Sequence, residues 1–261
     1  MKKLAILLLT VMLAQLVTTP GAAVGLGYTP TGAYAGSEYC SRLKMINLTG
    51  DQRLDIVNVA YTQLGYHEGD GLAEINGKNT KGSKNYTEYA YWFGTEVMGR
   101  DEGFYFAWCA MFVSWCARQA NIPESIVSNA AYARPDSADR RGGYGYFHLD
   151  AIAPQGYEPK CGDLIFIDWE ADGTWDHVGL VTYFINGYVG TIEGNANDGT
   201  VHRVYRADDP VIKAYGSPAY KGECPEEVRA AYEQRALISS VLDEAALRAA
   251  GFGALLVGSA G

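Results

Sequence analysis

Along this chain the apolar positions recur first with a helical period and later with the spacing of strands. Leu54, Val57, Ala60, Tyr61 and Leu64 follow Asp51 at i, i+3, i+6, i+7 and i+10, which predicts an amphipathic helix stopped by Gly65. Tyr86, Tyr89, Trp92 and Phe93 repeat helical spacing in a second, aromatic helix, and the chain is broken again between Gly99 and Gly103. A third helix is predicted from near Trp108. Its stripe is Cys109, Phe112, Val113, Cys116, Ala117 and Ala120, and Asn121 and Pro123 end it. Residues 66–85 are polar and glycine-dotted and read as a long loop. Residues 24–50, with Gly25, Gly27, Pro30, Gly32 and Gly36 and little periodicity, read as a linker.

Beyond a stretch rich in Arg and Gly the period changes. Leu164-Ile165-Phe166-Ile167 is a short apolar run, His177 to Phe184 a second strand and Tyr188 to Ile192 a third. Asn186-Gly187 between the last two is a strong hairpin signal, and Thr200 to Tyr205 reads as a further strand. Helices first and antiparallel strands after is the order of the α+β class. The tail from Cys224 holds a helical pattern in Val228, Tyr232, Ile238 and Leu242, and its glycine-rich end, residues 251–261, is expected to fray. The chain thus divides into residues 1–23, a linker over 24–50, a domain over 51–220 and a tail over 221–261.

The first segment changes the setting of everything after it. Lys2 and Lys3 precede an apolar run from Leu4 to Val17, followed by Gly21-Ala22-Ala23, the order of a secretory signal peptide cleaved after Ala23. The run falls short of the ~20 residues that a membrane span needs, so an uncleaved anchor is the weaker alternative. Export is expected, with no stable membrane association after cleavage. The full chain has 261 residues and a net charge of −9, and loss of Lys2 and Lys3 takes it to −11. No run of Lys or Arg occurs, which argues against nucleic acid as a partner. Hydrophobic residues at 48% and charged residues at 20% supply a packed core. Five Cys leave at least one thiol unpaired in an oxidising compartment.

Most chemical motifs fail. Gly77-Lys78-Asn79 lacks the spacing and the hydroxyl of a phosphate loop, no Gly-x-Ser-x-Gly occurs, and His67-Glu68 has no second His four residues after the first. Asp168, Glu170, Asp172 and Gly173 imitate the start of a calcium loop, but Gly179 stands where the bidentate Glu belongs. No metal and no cofactor is expected.

One constellation survives. Cys109 opens a helix, where free N–H groups and the positive dipole end favour a thiolate and can hydrogen-bond an oxyanion. On position alone, an ordinary buried Cys on the stripe of Cys116 explains it equally well. His177 begins a strand directly after a charged turn, which sets its ring at a sheet end. Glu193 and Asn195 end the neighbouring strand with alternate spacing, so either can hold the imidazole by its second nitrogen. Register decides whether they meet. A regular two-residue turn would pair His177 with Ala196 and face it away from Glu193. A three-residue loop, Ile185-Asn186-Gly187, sets His177 opposite Asn195 and puts His177, Gly179, Glu193 and Asn195 on one face. That loop is the expectation, with Gly179 leaving room for the helix of Cys109.

The runs Trp108-Cys109-Ala110-Met111-Phe112-Val113-Ser114-Trp115-Cys116-Ala117, Gly162-Asp163-Leu164-Ile165-Phe166, Asp176-His177-Val178-Gly179-Leu180-Val181 and Thr191-Ile192-Glu193-Gly194-Asn195 resemble the CHAP domain, the cysteine, histidine-dependent amidohydrolases/peptidases. Gly65-Tyr66-His67-Glu68-Gly69, Asn85-Tyr86-Thr87-Glu88-Tyr89 and Tyr215-Gly216-Ser217-Pro218 look like those of CHAP proteins secreted by Gram-positive bacteria. The resemblance covers about residues 51–220. It implies a papain-like α+β fold, with the nucleophile at a helix N-terminus packed on a C-terminal antiparallel sheet. It also implies peptidoglycan as the partner and cleavage of an amide bond, at N-acetylmuramoyl–L-alanine or within the stem peptide or cross-bridge. By motif position Cys109 is the nucleophile, His177 the base and then acid, Glu193 the orienter and Asn195 its assistant. Tyr66, Tyr86 and Trp108 are candidates to line a substrate groove, whereas the spacing of Tyr89 and Trp92 suits the core. With Cys109 kept for chemistry and Cys116 in the core, Cys40 and Cys224 bracket the domain as a candidate disulfide pair, although spacing does not set connectivity. A non-catalytic wall-binding module and an acyl transferase on the same fold are the competing readings.

Overall fold

The computed structural model describes residues 22–74, 82–135, 146–149, 152–154 and 156–224. Residues 1–21 of the expected leader (1–23) and the tail helix around Val228 to Leu242 lie outside the described residues. Among the described residues five α-helices precede the main sheet: α1 (Gly32–Ala35), α2 (Glu38–Met45), α3 (Gln52–Thr62), α4 (Glu88–Trp92) and α5 (Cys109–Gln119). Strands β1 (Ala22–Ala23) and β2 (Asn47–Leu48) form a small antiparallel pair. The main sheet contains β3 (Ile152–Pro154), β4 (Leu164–Ile167), β5 (His177–Ile185), β6 (Tyr188–Ala196), β7 (Gly199–Arg206) and β8 (Ile212–Gly216). Its order is β3-β8-β4-β5-β6-β7, antiparallel throughout. The chain is α+β, as the order of periodicities predicts.

Helix starts follow local chemistry. The Asp51 carboxylate accepts from the N–H groups of Arg53 and Leu54 at 3.0 and 3.1 Å, Ser37 caps α2 and Thr87 caps α4. The second helix therefore begins after Tyr86, and it passes into a π-helical turn over Phe93–Val97 before the Gly99 break.

Residues 24–50 depart from the linker reading. They carry α1 and α2, and Tyr34, Cys40 and Leu43 are fully buried in the same core as α3 and α5. Glycine density concealed them, because helices this short leave almost no period to detect. Strand β8 also escaped the sequence reading. Its five residues are interrupted by Lys213, yet it lies in the sheet between β3 and β4.

The sheet buries both faces, which explains the unbroken apolar run of β4. Leu164, Phe166, Val178, Leu180 and Ile192 pack with the helices, whereas Ile165, Ile167, Val181 and Tyr215 form a second cluster on the far side. The helix-side core is centred on aromatic residues. Tyr89 stacks on Trp108 at 5.3 Å between ring centroids and meets Phe112 and Trp115 edge-on.

The hairpin achieves the expected register by a different device. Ile185 pairs directly with Tyr188, so the turn is the two-residue Asn186-Gly187, with φ of +50° and +77°. The extra residue sits inside β5: Val181 pairs with Thr191 and Tyr183 with Gly190, leaving Thr182 as a bulge. Past the bulge, Leu180 pairs with Ile192, and continuing that register aligns His177 with Asn195. The three-residue loop is thus corrected to a tight turn plus a bulge, and the face assignment of His177 and Glu193 is unchanged.

Candidate active site

Helix α5 begins at Cys109 with Trp108 as its N-cap residue, and no side chain caps the first turn. Its N–H groups are therefore not consumed by a capping oxygen. Cys109 is buried beside the ring of His177, whose pKa it helps to raise. His177 Nε2–H donates to Glu193 Oε2 at 2.9 Å. Glu193 Oε1 accepts from the Thr191 hydroxyl at 2.6 Å, and Arg203 Nε stands 3.9 Å from Oε2. His177 is thus the residue that both Cys109 and Glu193 act on.

The electrostatics of these three residues are decided by pairing. Burial by itself works against a charged His177, but the hydrogen bonds and charges of Cys109 and Glu193 outweigh it and push its pKa up to about 9. Burial likewise works against a charged Glu193, and the bonds from His177 and Thr191 overcome this and hold the carboxyl below its ordinary range. At neutral pH the ring already carries its proton and the carboxylate is ionised.

Trp169 completes the environment of the imidazole. Its ring lies on that of His177 at 4.1 Å between centroids with 23° between planes, and the Arg203 guanidinium lies over the Trp169 ring at 5.0 Å. Sequence reading missed this residue. The available signal was an aromatic side chain inside the charged turn between Asp168 and Asp176, a turn weighed only for calcium. There Asp168 accepts from the Gly173 N–H at 3.0 Å and pairs with Lys213 Nζ at 3.3 Å.

Other sequence-selected residues have different places. Asn195 adopts φ +59° at an irregularity of β6, and among the described residues the ring bond of His177 goes to Glu193 rather than to Asn195. Tyr66 is fully buried, its hydroxyl accepting from the Glu88 N–H at 2.9 Å, so it does not line a groove. Trp108 is also fully buried, and its Nε1–H donates to Glu68 Oε2 at 2.7 Å. Both were placed in the groove because a sequence cannot distinguish an aromatic beside a site from one beneath it. Tyr86 alone of the three keeps exposure, stacked on Tyr105 at 4.1 Å.

The supporting residues acquire physical roles. Glu68, in the His67-Glu68 pair, also accepts from the Asn85 N–H at 2.8 Å, and so fixes the residue that precedes Cys109. Asp163 of the Gly-Asp pair is buried against Arg53 at 2.8 Å and accepts from Ser217 Oγ at 2.8 Å, clamping α3 to the sheet. Gly179 makes room for Glu193, whose Cγ would lie 2.7 Å from an added Cβ, and not for the helix of Cys109. The helix owes its close approach to Gly194, where a Cβ would meet Phe112 Cβ at 2.6 Å and Trp108 at 2.8 Å. Cys116 is buried in the core as expected, but Cys224 neighbours Cys161 and not Cys40.

No curated protein matches the chain. The solved crystal structure of Ly7917 is similar at 14% identity over 42% of this chain and 53% of that one, with a TM-score of 0.31. The chain therefore spans about half the length of that structure. The family model of the CHAP domain matches residues 100–195, a stretch that contains Cys109, His177 and Glu193. Over residues 100–195 the chain is similar to the CHAP domain, whose members are typically cysteine- and histidine-dependent amidohydrolases or peptidases.

Proposed function

We propose that this protein is a secreted peptidoglycan hydrolase that cleaves an amide bond through a thioester on Cys109. The observation that carries the reading is the buried imidazole of His177, bonded to Glu193 at 2.9 Å and with its pKa raised by both Glu193 and Cys109. A cationic imidazole supplies the counter-charge for a thiolate formed beside it. The thiolate attacks the carbonyl carbon, and the N–H groups opening α5 receive the oxyanion. His177 gives its proton to the leaving amine and, now neutral, takes one from the water that hydrolyses the thioester. Glu193 fixes the ring and balances its charge throughout. Within this reading His177 acts first as acid and then as base, the reverse of the order expected from motif position. The half-buried stacked pair of Tyr86 and Tyr105 is the candidate aromatic contact for the sugar–peptide strand.

Export rests on the leader pattern of residues 1–23; among the described residues no helix is long and apolar enough to cross a membrane. The test is digestion of purified walls followed by mass spectrometry of the muropeptides. Wild type is expected to release fragments with one new amine and one new carboxylate, and Cys109→Ala none. Lysis by Cys109→Ala would exclude the thiol mechanism. Binding without release by wild type would favour a wall-binding module, and products joined to an added amine would favour acyl transfer.

A further inference from the structure

The five cysteines fall into three situations. Cys40 and Cys116 are fully buried in the helix-side core, and Cys109 stands at the site. Cys161 and Cys224, distant in sequence, are brought together. Both line one cavity of about 250 Å³ together with Lys160 and Phe184, and the neighbouring Cys224 and burial push the Cys161 thiol pKa up. Cys161 is buried and Cys224 half-buried.

Both are hung from the start of one helix. The Cys161 carbonyl accepts from Arg53 Nη1 at 2.9 Å, and its thiol donates to the Arg53 carbonyl at 3.5 Å. The Cys224 N–H donates to Asp51 Oδ2 at 3.0 Å, as does that of Glu223, while Asp51 Oδ1 caps α3. The Tyr220 hydroxyl reaches the Gly162 carbonyl at 2.9 Å, and the Arg53 guanidinium covers the Tyr220 ring at 5.1 Å. Cys224 adopts φ +57°, a left-handed conformation that costs a non-glycine residue free energy and that these bonds hold in place.

We propose that Cys161 and Cys224 close as a disulfide that straps the chain leaving β8 to the turn preceding β4. Its use in life rests on the export reading, because reducing compartments keep such pairs open. The oxidant is a disulfide of the glutathione or oxidoreductase class. Cys224, the accessible thiol, attacks one of its sulfurs and expels a thiolate; Cys161 then attacks the Cys224 sulfur of the mixed disulfide and expels the second. The S–S bond of the oxidant breaks, that of the protein forms, and the two thiol protons pass to the two expelled thiolates. Cys109 is left outside this exchange as a free thiol.

The purified chain, equilibrated in a glutathione redox buffer and alkylated, is digested without reduction and mapped by mass spectrometry. A peptide joining Cys161 to Cys224 is expected, with the thermal midpoint raised by about 5–10 °C over the reduced chain. Cys161→Ser and Cys224→Ser are each expected to abolish that rise, and the double variant to remove no more. The proposal is overturned if both thiols are alkylated in oxidising buffer, or if Cys224 is joined to Cys40. A chain that closes the bridge in buffer but is reduced when recovered from culture supports the pairing and counts against export alone.

Discussion

Trp169 lies flat on the imidazole of His177, 4.1 Å away, and the Arg203 guanidinium lies over the Trp169 ring at 5.0 Å. The stack orients the plane of the ring that bonds Glu193, although Trp169 itself remains 39% exposed. A stacked aromatic contact contributes about 0.5–1.5 kcal/mol. Trp169→Ala is therefore expected to lower kcat by about 3- to 10-fold and to move the alkaline limb of the pH–rate profile. Trp169→Phe should recover most of the loss. An unchanged profile for Trp169→Ala would show that the stack is only packing.

The pair of His177 and Glu193 has a stability signature with a definite sign. In the folded chain His177 titrates near 9 against an ordinary 6.5. A raised value means that its contribution is whole below pH 6.5 and is lost as pH rises through about 9. Glu193, held low, contributes in the opposite sense, and its share is lost as pH falls below its ordinary 4.5. Glu193→Gln is expected to flatten the alkaline decline of the thermal midpoint and to reduce kcat/KM by about 10²- to 10⁴-fold. A variant with the wild-type slope above pH 6.5 would disprove the pairing.

Glu88 defines a separate window. It accepts from the Tyr28 hydroxyl at 2.9 Å, the Thr31 N–H at 3.2 Å and the Thr31 hydroxyl at 2.6 Å, and so ties the segment before α1 to α4. Burial nevertheless outweighs these donors and raises its pKa from 4.5 to about 7. Its contribution is whole below pH 4.5 and lost as pH rises through about 7. Denaturant midpoints of Glu88→Gln at pH 5 and pH 8 should differ less than those of wild type.

Gly194 sets the distance between α5 and the sheet. An added Cβ would fall 2.6 Å from Phe112 Cβ, so Gly194→Ala must push the helix and its leading Cys109 outward. A destabilisation of about 1–3 kcal/mol is expected, with loss of activity in the fraction that remains folded. Gly187→Ala is the control. It has φ +77° and open space around it, so it should cost about 1–2 kcal/mol and spare kcat.

Trp108 and Glu68 test the support beneath the nucleophile. Trp108→Phe keeps most of the buried ring but removes the 2.7 Å bond and leaves a buried carboxylate oxygen without its donor. About 1–3 kcal/mol of stability should be lost by denaturant titration. Glu68→Gln retains an oxygen for the indole N–H, and a loss equal to that of Trp108→Phe would count against the contact.

What the amino-acid sequence determined by itself was local. The stripe from Cys109 to Ala120 specifies α5, because burial at helical spacing is written into neighbouring residues, and Asn186-Gly187 specifies the hairpin, because both positions require positive φ. Cys109, His177 and Glu193 were legible as candidates for the same reason, each standing at the end of an element that the pattern locates. The tertiary structure decided which partners meet. Thr182 bulges out of β5 and restores the register that a two-residue turn would have lost, a choice made by pairing with β6 and invisible in β5 alone. Trp169, Arg203 and Glu68 reach the site across the fold, and Tyr66 and Trp108 sink beneath it, because packing distributes aromatic side chains by the space between elements and not by their order in the chain.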